Sequence, residues 1–326
     1  MPAIEVDPEL LREFELGLQP SRPERSAIPA RILGYGEIST VFEIARGDLE
    51  GIACKRLPIF RDRREIEEYE RIYVEYNRLL EEEIGLKLPP HGYAETTGKG
   101  GRPVFFILQE RVPSSSIGNN AIAFLDAGGV SELVLLVLRE LRKVWDYNLR
   151  QKEFEVAIDG QISNWSVAGF DPGNPRLEEG QVLYYLDTST PLFRVAGTEQ
   201  LDPELFLRSA PSFLVWIIRL AFLGDVMTRY YRPRLVATDL VANFYKEGRA
   251  DLVPRLVETV NHFFLREAPH LGVEPLSVKE VSSYYREDAL IWSLYLYMRR
   301  LDRFLRGTVL RREYPYILPG RIRRRR

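Results

Sequence analysis

The sequence changes character near Pro113, and this change limits the fold more than any other feature. Before it, short apolar runs bounded by glycine and proline predict strands, and residues 65–86 carry an apolar stripe at helical spacing. From about residue 203 onward, nearly every segment has the helical period. We therefore expect an α+β, bilobal protein, in which a small strand-rich lobe joins a larger helical lobe near residue 110.

The expected domain boundaries follow this change in pattern. They are an N-terminal extension, a small lobe, a large lobe and a basic tail, at residues 1–25, 26–112, 113–320 and 321–326. In the small lobe, residues 89–103 are rich in turn residues and predict a loop before the next strand. In the large lobe, helical periods cover residues 130–147, 212–231, 235–246, 250–266, 277–286 and 288–306.

Composition excludes several classes of protein. The 326 residues are 45% hydrophobic and 28% charged, which excludes wholesale disorder. Lys and Arg (45) nearly balance Asp and Glu (47), so the net charge gives no indication of nucleic-acid binding. The Arg-rich tail could contact an acidic partner, an anionic membrane surface or RNA, and the plain alternative is a solvated basic end. The single cysteine, Cys54, excludes an internal disulfide, and the three His are not at ligand spacing, so a structural zinc is not expected.

Two further features concern location. The first 18 residues are acidic and amphipathic and lack the basic and apolar regions of a secretory signal. The most apolar stretch, residues 213–223, has eleven residues and contains Arg219, whereas a membrane span needs about 20 apolar residues. We therefore expect a buried helix there, no transmembrane segment and a cytoplasmic location.

A glycine loop and a strand lysine are the first candidates for chemistry. Gly34 and Gly36 lie between two predicted strands, where glycines let a backbone approach phosphates closely. Lys55 ends the apolar run of the next predicted strand and could reach those phosphates. The plain alternatives are a glycine-containing hairpin and an edge lysine that reaches water.

The helix that follows supplies a candidate carboxylate. Glu75 lies 20 residues after Lys55 and is flanked by the apolar stripe, so it could face the sheet and pair with the lysine. Glu68 and Glu70 are rivals for this role. The alternative is a solvated glutamate, because this helix is rich in acids.

Two further acidic positions lie in the large lobe. Asp159 and Asn164 form a D-x4-N loop after an apolar run; the Asp could accept a proton from a hydroxyl, and the Asn carbonyl could bind Mg²⁺. Asp187 ends a predicted strand of aromatic and aliphatic residues, a position that suits a cation. For both aspartates the alternative is a turn residue.

These parts occur in the order used for kinase-type phosphoryl transfer. Residues 30–190 resemble the protein-kinase-like superfamily, which includes the aminoglycoside and choline phosphotransferase type. The resemblance implies a bilobal kinase-like fold and the cofactors ATP and Mg²⁺. It implies roles for these residues: Gly34 and Gly36 over the phosphates, Lys55 on the α/β-phosphates and paired with Glu75, Gln109 as gatekeeper, backbone groups of Glu110 and Val112 on adenine, Asp159 as base, and Asn164 and Asp187 on Mg²⁺.

The sequence departs from ordinary protein kinases in several places. Ser39 stands at the third loop glycine, Ala157 and Ile158 replace the His-Arg pair, and Thr188-Ser189 follow the metal aspartate. Ala210-Pro211-Ser212 lacks the Glu expected after an activation segment. We therefore expect an ATP- and Mg²⁺-dependent phosphotransferase that acts on a hydroxyl-bearing small molecule. A pseudokinase that binds nucleotide as a regulatory or scaffold module is the alternative, and a structural interaction protein is a weaker one.

A second Asp–Asn pair could be mistaken for the catalytic loop. Asp239 and Asn243 are only four residues apart, and Val236, Leu240 and Phe244 mark a helical period. The sequence therefore predicts a helix of the large lobe here, without a catalytic role.

Overall fold

The computed structural model describes residues 4–36, 39–178, 180–208, 228–309 and 314–318. The apolar stretch 213–223, the segment 210–212 and the basic tail lie outside these residues. The described chain is a mixed α/β structure built around one five-stranded sheet. No helix in these ranges is both long enough and apolar enough to cross a bilayer.

The sheet is entirely antiparallel, with the order β1-β2-β3-β5-β4. Its strands are β1 (Ala30–Tyr35), β2 (Thr40–Ile44), β3 (Ile52–Leu57), β4 (His91–Thr97) and β5 (Pro103–Glu110). Four of them are the strands predicted from the sequence. The fifth, β4, lies where a loop was expected. It is an edge strand with several polar residues, so its sequence lacks the apolar alternation that predicts a strand.

One helix packs on each face of the sheet. Helix α1 (Pro8–Gly17) begins at the N-cap Asp7 and buries Leu11 and Phe14 against the sheet. The Phe14 ring lies 5.3 Å from that of Phe42 and 6.5 Å from that of Phe106. Residues 8–17, expected as part of an extension, therefore share the core of the strand region.

A buried ion pair joins α1 to β3. Arg56 donates to Glu15 at 2.6 and 2.7 Å, and both side chains are almost fully buried. The same guanidinium donates to the Pro315 carbonyl at 2.8 Å, and Ile317 lies in the same apolar cluster. The segment 314–318, assigned to the large lobe from the sequence, thus packs against the sheet.

Helix α2 (Arg63–Arg78) covers the other face. The Asp62 side chain caps it by accepting from the Glu65 N–H. Tyr69 and Tyr73 lie in the cluster that contains Phe105 of β5. The helix continues as a wider turn to Ile84 and ends at Gly85, whose φ of 82° suits glycine.

The rest of the described chain is mainly helical. The helices are α3 (Gly118–Ala121), α4 (Ala127–Arg150), α5 (Glu204–Leu207), α6 (Pro233–Lys246), α7 (Val253–Arg266) and α8 (Val278–Phe304). The predicted helices 277–286 and 288–306 form one helix, α8, because no Gly or Pro interrupts it. Short strands lie between α4 and α5: β6 (Phe154–Val156), β7 (Trp165–Val167), β8 (Leu183–Tyr185), β9 (Phe193–Val195) and β10 (Thr198–Glu199).

Candidate functional site

Lys55 lies in the middle of β3, between Val41 of β2 and Ile107 of β5. Its ammonium group donates to Asp187 Oδ1 at 2.7 Å and to Ser189 Oγ at 3.0 Å. Asp187 follows β8 by two residues, so this contact joins the five-stranded sheet to the second, smaller group of strands. The structure therefore brings together two residues that the sequence analysis selected separately.

The Asp187 carboxylate is held in its charged form. Burial raises its pKa, but the Lys55 charge, the hydrogen bond from Lys55 and those from Ser189 lower it by more, so the net pKa lies below the ordinary value. The Ser189 hydroxyl donates to Asp187 Oδ1 at 2.8 Å. A carboxylate oxygen with a lowered pKa is suited to a hard cation.

The loop 159–164 lies beside Asp187. Leu186 donates its N–H to the Asn164 carbonyl at 2.8 Å, and the β7–β8 ladder pairs Trp165 with Tyr185 immediately beyond. The Asn164 side-chain nitrogen donates to the Asp159 carbonyl at 3.4 Å. Asp159, Asn164 and Asp187 therefore lie near one end of this two-stranded ladder.

The donor set fits Mg²⁺. The described residues contain no cluster of three His, Cys, Asp or Glu. Asp187 and Asn164 offer one carboxylate and one amide oxygen. Mg²⁺ commonly takes one or two such ligands and completes its shell with waters and substrate phosphates.

Asp159 has an unusual environment. Burial, followed by the negative charge of Asp239, raises the pKa of its carboxyl group, although the Gln161 N–H donates to Oδ1 at 3.0 Å. Asp239 lies on α6, as predicted, but the sequence analysis gave it no role. A signal was present: Asp239 and Asn243 are polar residues one turn apart on a helix whose neighbouring positions are apolar, and both are buried.

The predicted Lys55–Glu75 pair is not formed. The Glu75 carboxylate accepts from Arg78 at 2.9 and 3.1 Å and remains about one-third exposed. The rival Glu70 accepts from the Tyr93 hydroxyl at 2.8 Å, and Glu68 is exposed. Glutamate at these positions lies outside the buried stripe of α2, so no carboxylate of this helix reaches the lysine.

Tyrosines occupy that buried stripe instead. The Tyr69 hydroxyl donates to the Ser189 carbonyl at 2.9 Å, two residues beyond Asp187. The Tyr76 hydroxyl donates to the Ala157 carbonyl at 2.9 Å, two residues before Asp159. Helix α2 therefore contacts both acidic segments through phenol groups, which the search for a glutamate did not consider.

The predicted glycines lie in the β1–β2 hairpin. The Gly36 N–H donates to the Ser39 carbonyl at 3.0 Å, and a Cβ at position 36 would lie 2.7 Å from Ser39 Oγ. Gly34 follows an irregularity in the β1–β2 register and has open space where a side chain would project. Gly36 and Ser39 are therefore in close contact, and the space beside Gly34 is open.

The three predicted adenine residues lie at the end of β5. Gln109 pairs with Ala53 and His91 in the sheet. The Glu110 N–H donates to the Pro90 carbonyl at 2.8 Å, and Pro90 has no N–H to donate in return. This leaves the Glu110 carbonyl without a ladder donor, and the Val112 N–H bonds no atom of the described ranges. One acceptor and one donor are thus available.

Known proteins give the following comparisons. The chain is similar to a solved structure of WaaP in complex with acyl carrier protein, over 75% of this chain and 90% of that chain, at 12% identity and a TM-score of 0.30. No curated protein matches the sequence. The model of DUF6206, a family of unknown function, matches residues 21–303. Because this match covers most of the sequence, the chain belongs to the DUF6206 family.

Proposed function

We propose that the chain is a kinase-like phosphotransferase with two lobes, which uses ATP and Mg²⁺ to phosphorylate a hydroxyl group of a small molecule. One observation carries the proposal: the Lys55 ammonium group lies 2.7 Å from Asp187, at the end of the ladder that also holds Asp159 and Asn164. A lysine opposite a carboxylate and an amide oxygen is the arrangement that binds a metal-complexed triphosphate.

Each residue then has a distinct binding role. Asp187 and Asn164 would hold Mg²⁺, which supplies charge neutralisation for the phosphates. Lys55 binds phosphate oxygens, and the narrow hairpin of Gly34 and Gly36 covers them. At the other end of the nucleotide, the Glu110 carbonyl accepts a hydrogen bond from adenine, and the neighbouring N–H of residue 112 donates one.

Asp159 acts as the general base. The acceptor oxygen forms a bond to the γ-phosphorus, the bond from that phosphorus to the bridging oxygen of ADP breaks, and Asp159 receives the hydroxyl proton. The raised pKa of Asp159 supports this role, because a carboxylate with a higher pKa is a stronger base toward a hydroxyl group.

Thermal unfolding tests the nucleotide part of the proposal. ATP with Mg²⁺ should raise the midpoint temperature, since a ligand at 100 times its Kd stabilises the native state by about 2.7 kcal/mol. The shift should be smaller with ATP and EDTA. Asp159→Asn should keep the shift and lose ATP turnover. The absence of any shift with Mg²⁺ and ATP would contradict the proposal.

A nucleotide-binding regulatory module is the second candidate. It is favoured by the pairing of Glu75 with Arg78, which leaves Lys55 without the glutamate used by active kinases. ATP turnover separates the two candidates: a regulatory module binds Mg²⁺ and ATP but releases no ADP with any acceptor.

A further inference from the structure

Helix α6 lies directly behind the loop that carries Asp159. A Cβ at Gly160 would be 2.7 Å from Val236 Cγ1 and 3.1 Å from Leu141 Cδ1. Only glycine allows this approach, so the loop rests on α6 at Val236. Asp239 lies nearly one turn further along the same helix.

Asp239 and Asp159 are connected through Gln161. The Gln161 side chain lies beside the Asp239 carboxylate, and its backbone N–H donates to Asp159 Oδ1 at 3.0 Å. The Ile158 N–H donates to the Tyr230 carbonyl at 3.4 Å, which ties the same loop to the residue after Arg229. Asp239 and Arg229 therefore flank the candidate base.

Arg229 uses only part of its hydrogen-bonding capacity. Its terminal nitrogens donate to the Tyr230 hydroxyl at 3.0 Å and the Tyr284 hydroxyl at 3.1 Å, and one lies 3.5 Å from Asp288. Its Nε is buried and has no partner. Asp239 is only 6% exposed, and the Gln161 and Tyr284 side chains lie beside its carboxylate, but its Oδ2 has no partner.

An unpaired buried donor and an unpaired buried acceptor are each costly in free energy. Both occur in residues whose charges act on the candidate base, because Asp239 raises the pKa of Asp159 and Arg229 lowers it. A ligand group that accepts from Arg229 Nε and donates to Asp239 Oδ2 would remove both costs. A hydroxyl group does both, whereas an ammonium group only donates and a phosphate group only accepts.

We propose that Asp239 and Arg229 bind a second hydroxyl group of the acceptor, next to the hydroxyl that Asp159 deprotonates. The acceptor is therefore a polyol. This inference rests on the proposed phosphotransferase function and adds the substrate class to it.

The first experiment uses the full wild-type chain and needs no variant. ADP release from ATP and Mg²⁺ is measured with glycerol and ribitol, and with 1-propanol and ethanolamine as the single-hydroxyl and amine probes. Both polyols should increase ADP release, and 1-propanol should not, although it has the carbon chain length of glycerol. Stimulation by ethanolamine alone would overturn the assignment in favour of an amine.

The second experiment assigns the residues. Asp239→Asn should raise the KM for ribitol roughly tenfold or more, because a site built for a hydroxyl group loses a buried partner. The KM for ATP should not change. Asp251→Asn is the control, since Asp251 is exposed and pairs with Arg249 far along the chain from this loop. Arg229→Lys keeps the charge and removes Nε, so it should also raise the KM for ribitol. It replaces Asp239→Asn in the experiment if that variant does not fold.

A binding experiment distinguishes failure of the polyol assignment from failure of the phosphotransferase function on which it rests. Saturation-transfer NMR with ribitol, Mg²⁺ and a non-hydrolysable ATP analogue should show contact with the polyol. If the analogue binds and ribitol does not, Oδ2 and Nε are bridged by water only, and the polyol assignment is wrong while nucleotide binding stands. If the analogue itself does not bind, the phosphotransferase proposal fails first.

Discussion

Lys55 and Asp187 are 132 positions apart in the sequence, and their Nζ and Oδ1 atoms are 2.7 Å apart in the structure. The pair joins the five-stranded sheet to the segment after β8. It is also the contact that a metal-bound nucleotide would divide, because the lysine would bind phosphate and the aspartate would bind the cation.

Replacing Lys55 with Ala should weaken nucleotide binding by roughly tenfold or more, because a charge-assisted hydrogen bond to phosphate is lost. Isothermal titration with ATP and Mg²⁺ measures this change. Lys143→Ala is the matched control, since the partly exposed Lys143 pairs with Glu140 within α4. Equal affinity of Lys55→Ala and the wild type would remove Lys55 from the site.

Asp187→Ala should abolish the dependence of nucleotide binding on Mg²⁺, because the charged cation ligand is lost. The measurement is ATP affinity with Mg²⁺ and with EDTA. In the wild type the two values should differ, and in the variant they should converge. Asp171→Ala, in an exposed turn, should behave as the wild type does. A variant that still responds to Mg²⁺ would show that other residues bind the ion.

Asp159→Asn should stabilise the protein in a pH-dependent manner. Burial and the Asp239 charge raise the folded-state pKa of Asp159 above the unfolded value. Between these two pKa values the folded state binds more protons, so the wild type loses stability as pH rises through this window. The variant lacks that loss. Its free energy of unfolding should exceed that of the wild type by several kcal/mol above the window, because the folded-state pKa is about 8 and each pKa unit is worth about 1.4 kcal/mol, and should match it below about pH 4.

Denaturant unfolding at several pH values measures the effect. The exposed Asp251 again provides the control, and its Asn variant should follow the wild-type curve at every pH. A difference between Asp159→Asn and the wild type that does not change with pH would contradict the explanation.

Tyr69→Phe should weaken binding of Mg²⁺ and ATP, because the Ser189 carbonyl beside Asp187 loses its donor. Tyr93→Phe is the control. It removes the hydrogen bond from the Tyr93 hydroxyl to Glu70 of α2, but Tyr93 does not contact the site. Both variants should lose about 1 kcal/mol of stability. Only the first should lose nucleotide affinity, and equal affinities would show that Tyr69 has a structural role alone.

Glu15→Ala should reduce the free energy of unfolding by about 3–5 kcal/mol, because it leaves the Arg56 charge buried and unpaired. Glu13 lies on the same helix and pairs with Arg46, but both of these side chains are about half exposed, so Glu13→Ala is the control. Its cost should be no more than about 1 kcal/mol. Denaturant titration compares the two, and similar costs would show that Arg56 is rescued by other groups.

Residues of the candidate site were easier to predict where the local sequence determines their position than where packing determines which side chain faces inward. Lys55 and Asp187 are charged residues that each end an apolar run in the sequence, and a charged side chain at such a position needs a partner, so their types and positions were informative. Glu75 was wrong because its helix offers several glutamates, and only the rotation of α2 decides which residue faces inward. Tyrosines took that face because they bury more apolar surface while still reaching a carbonyl.

Secondary structure was likewise easier to predict where the local sequence determines it than where packing does. Strands with continuous apolar runs, such as β5, were found, and the polar edge strand β4 was missed. Asp239 was correctly placed on a helix, but its approach to Asp159 depends on the contact between Gly160 and Val236, residues 76 positions apart in the sequence. No periodicity reports a contact of that kind.

The contacts of Arg56 have a consequence for any shortened version of the protein. Arg56 is the neighbour of Lys55 on β3, and it is held from one side by helix 8–17 and from the other by the segment 314–318. Removal of either segment would expose or unpair the guanidinium and loosen the strand that carries Lys55. Fragments trimmed to the sheet and the helices should therefore lose ligand affinity before they lose their secondary structure.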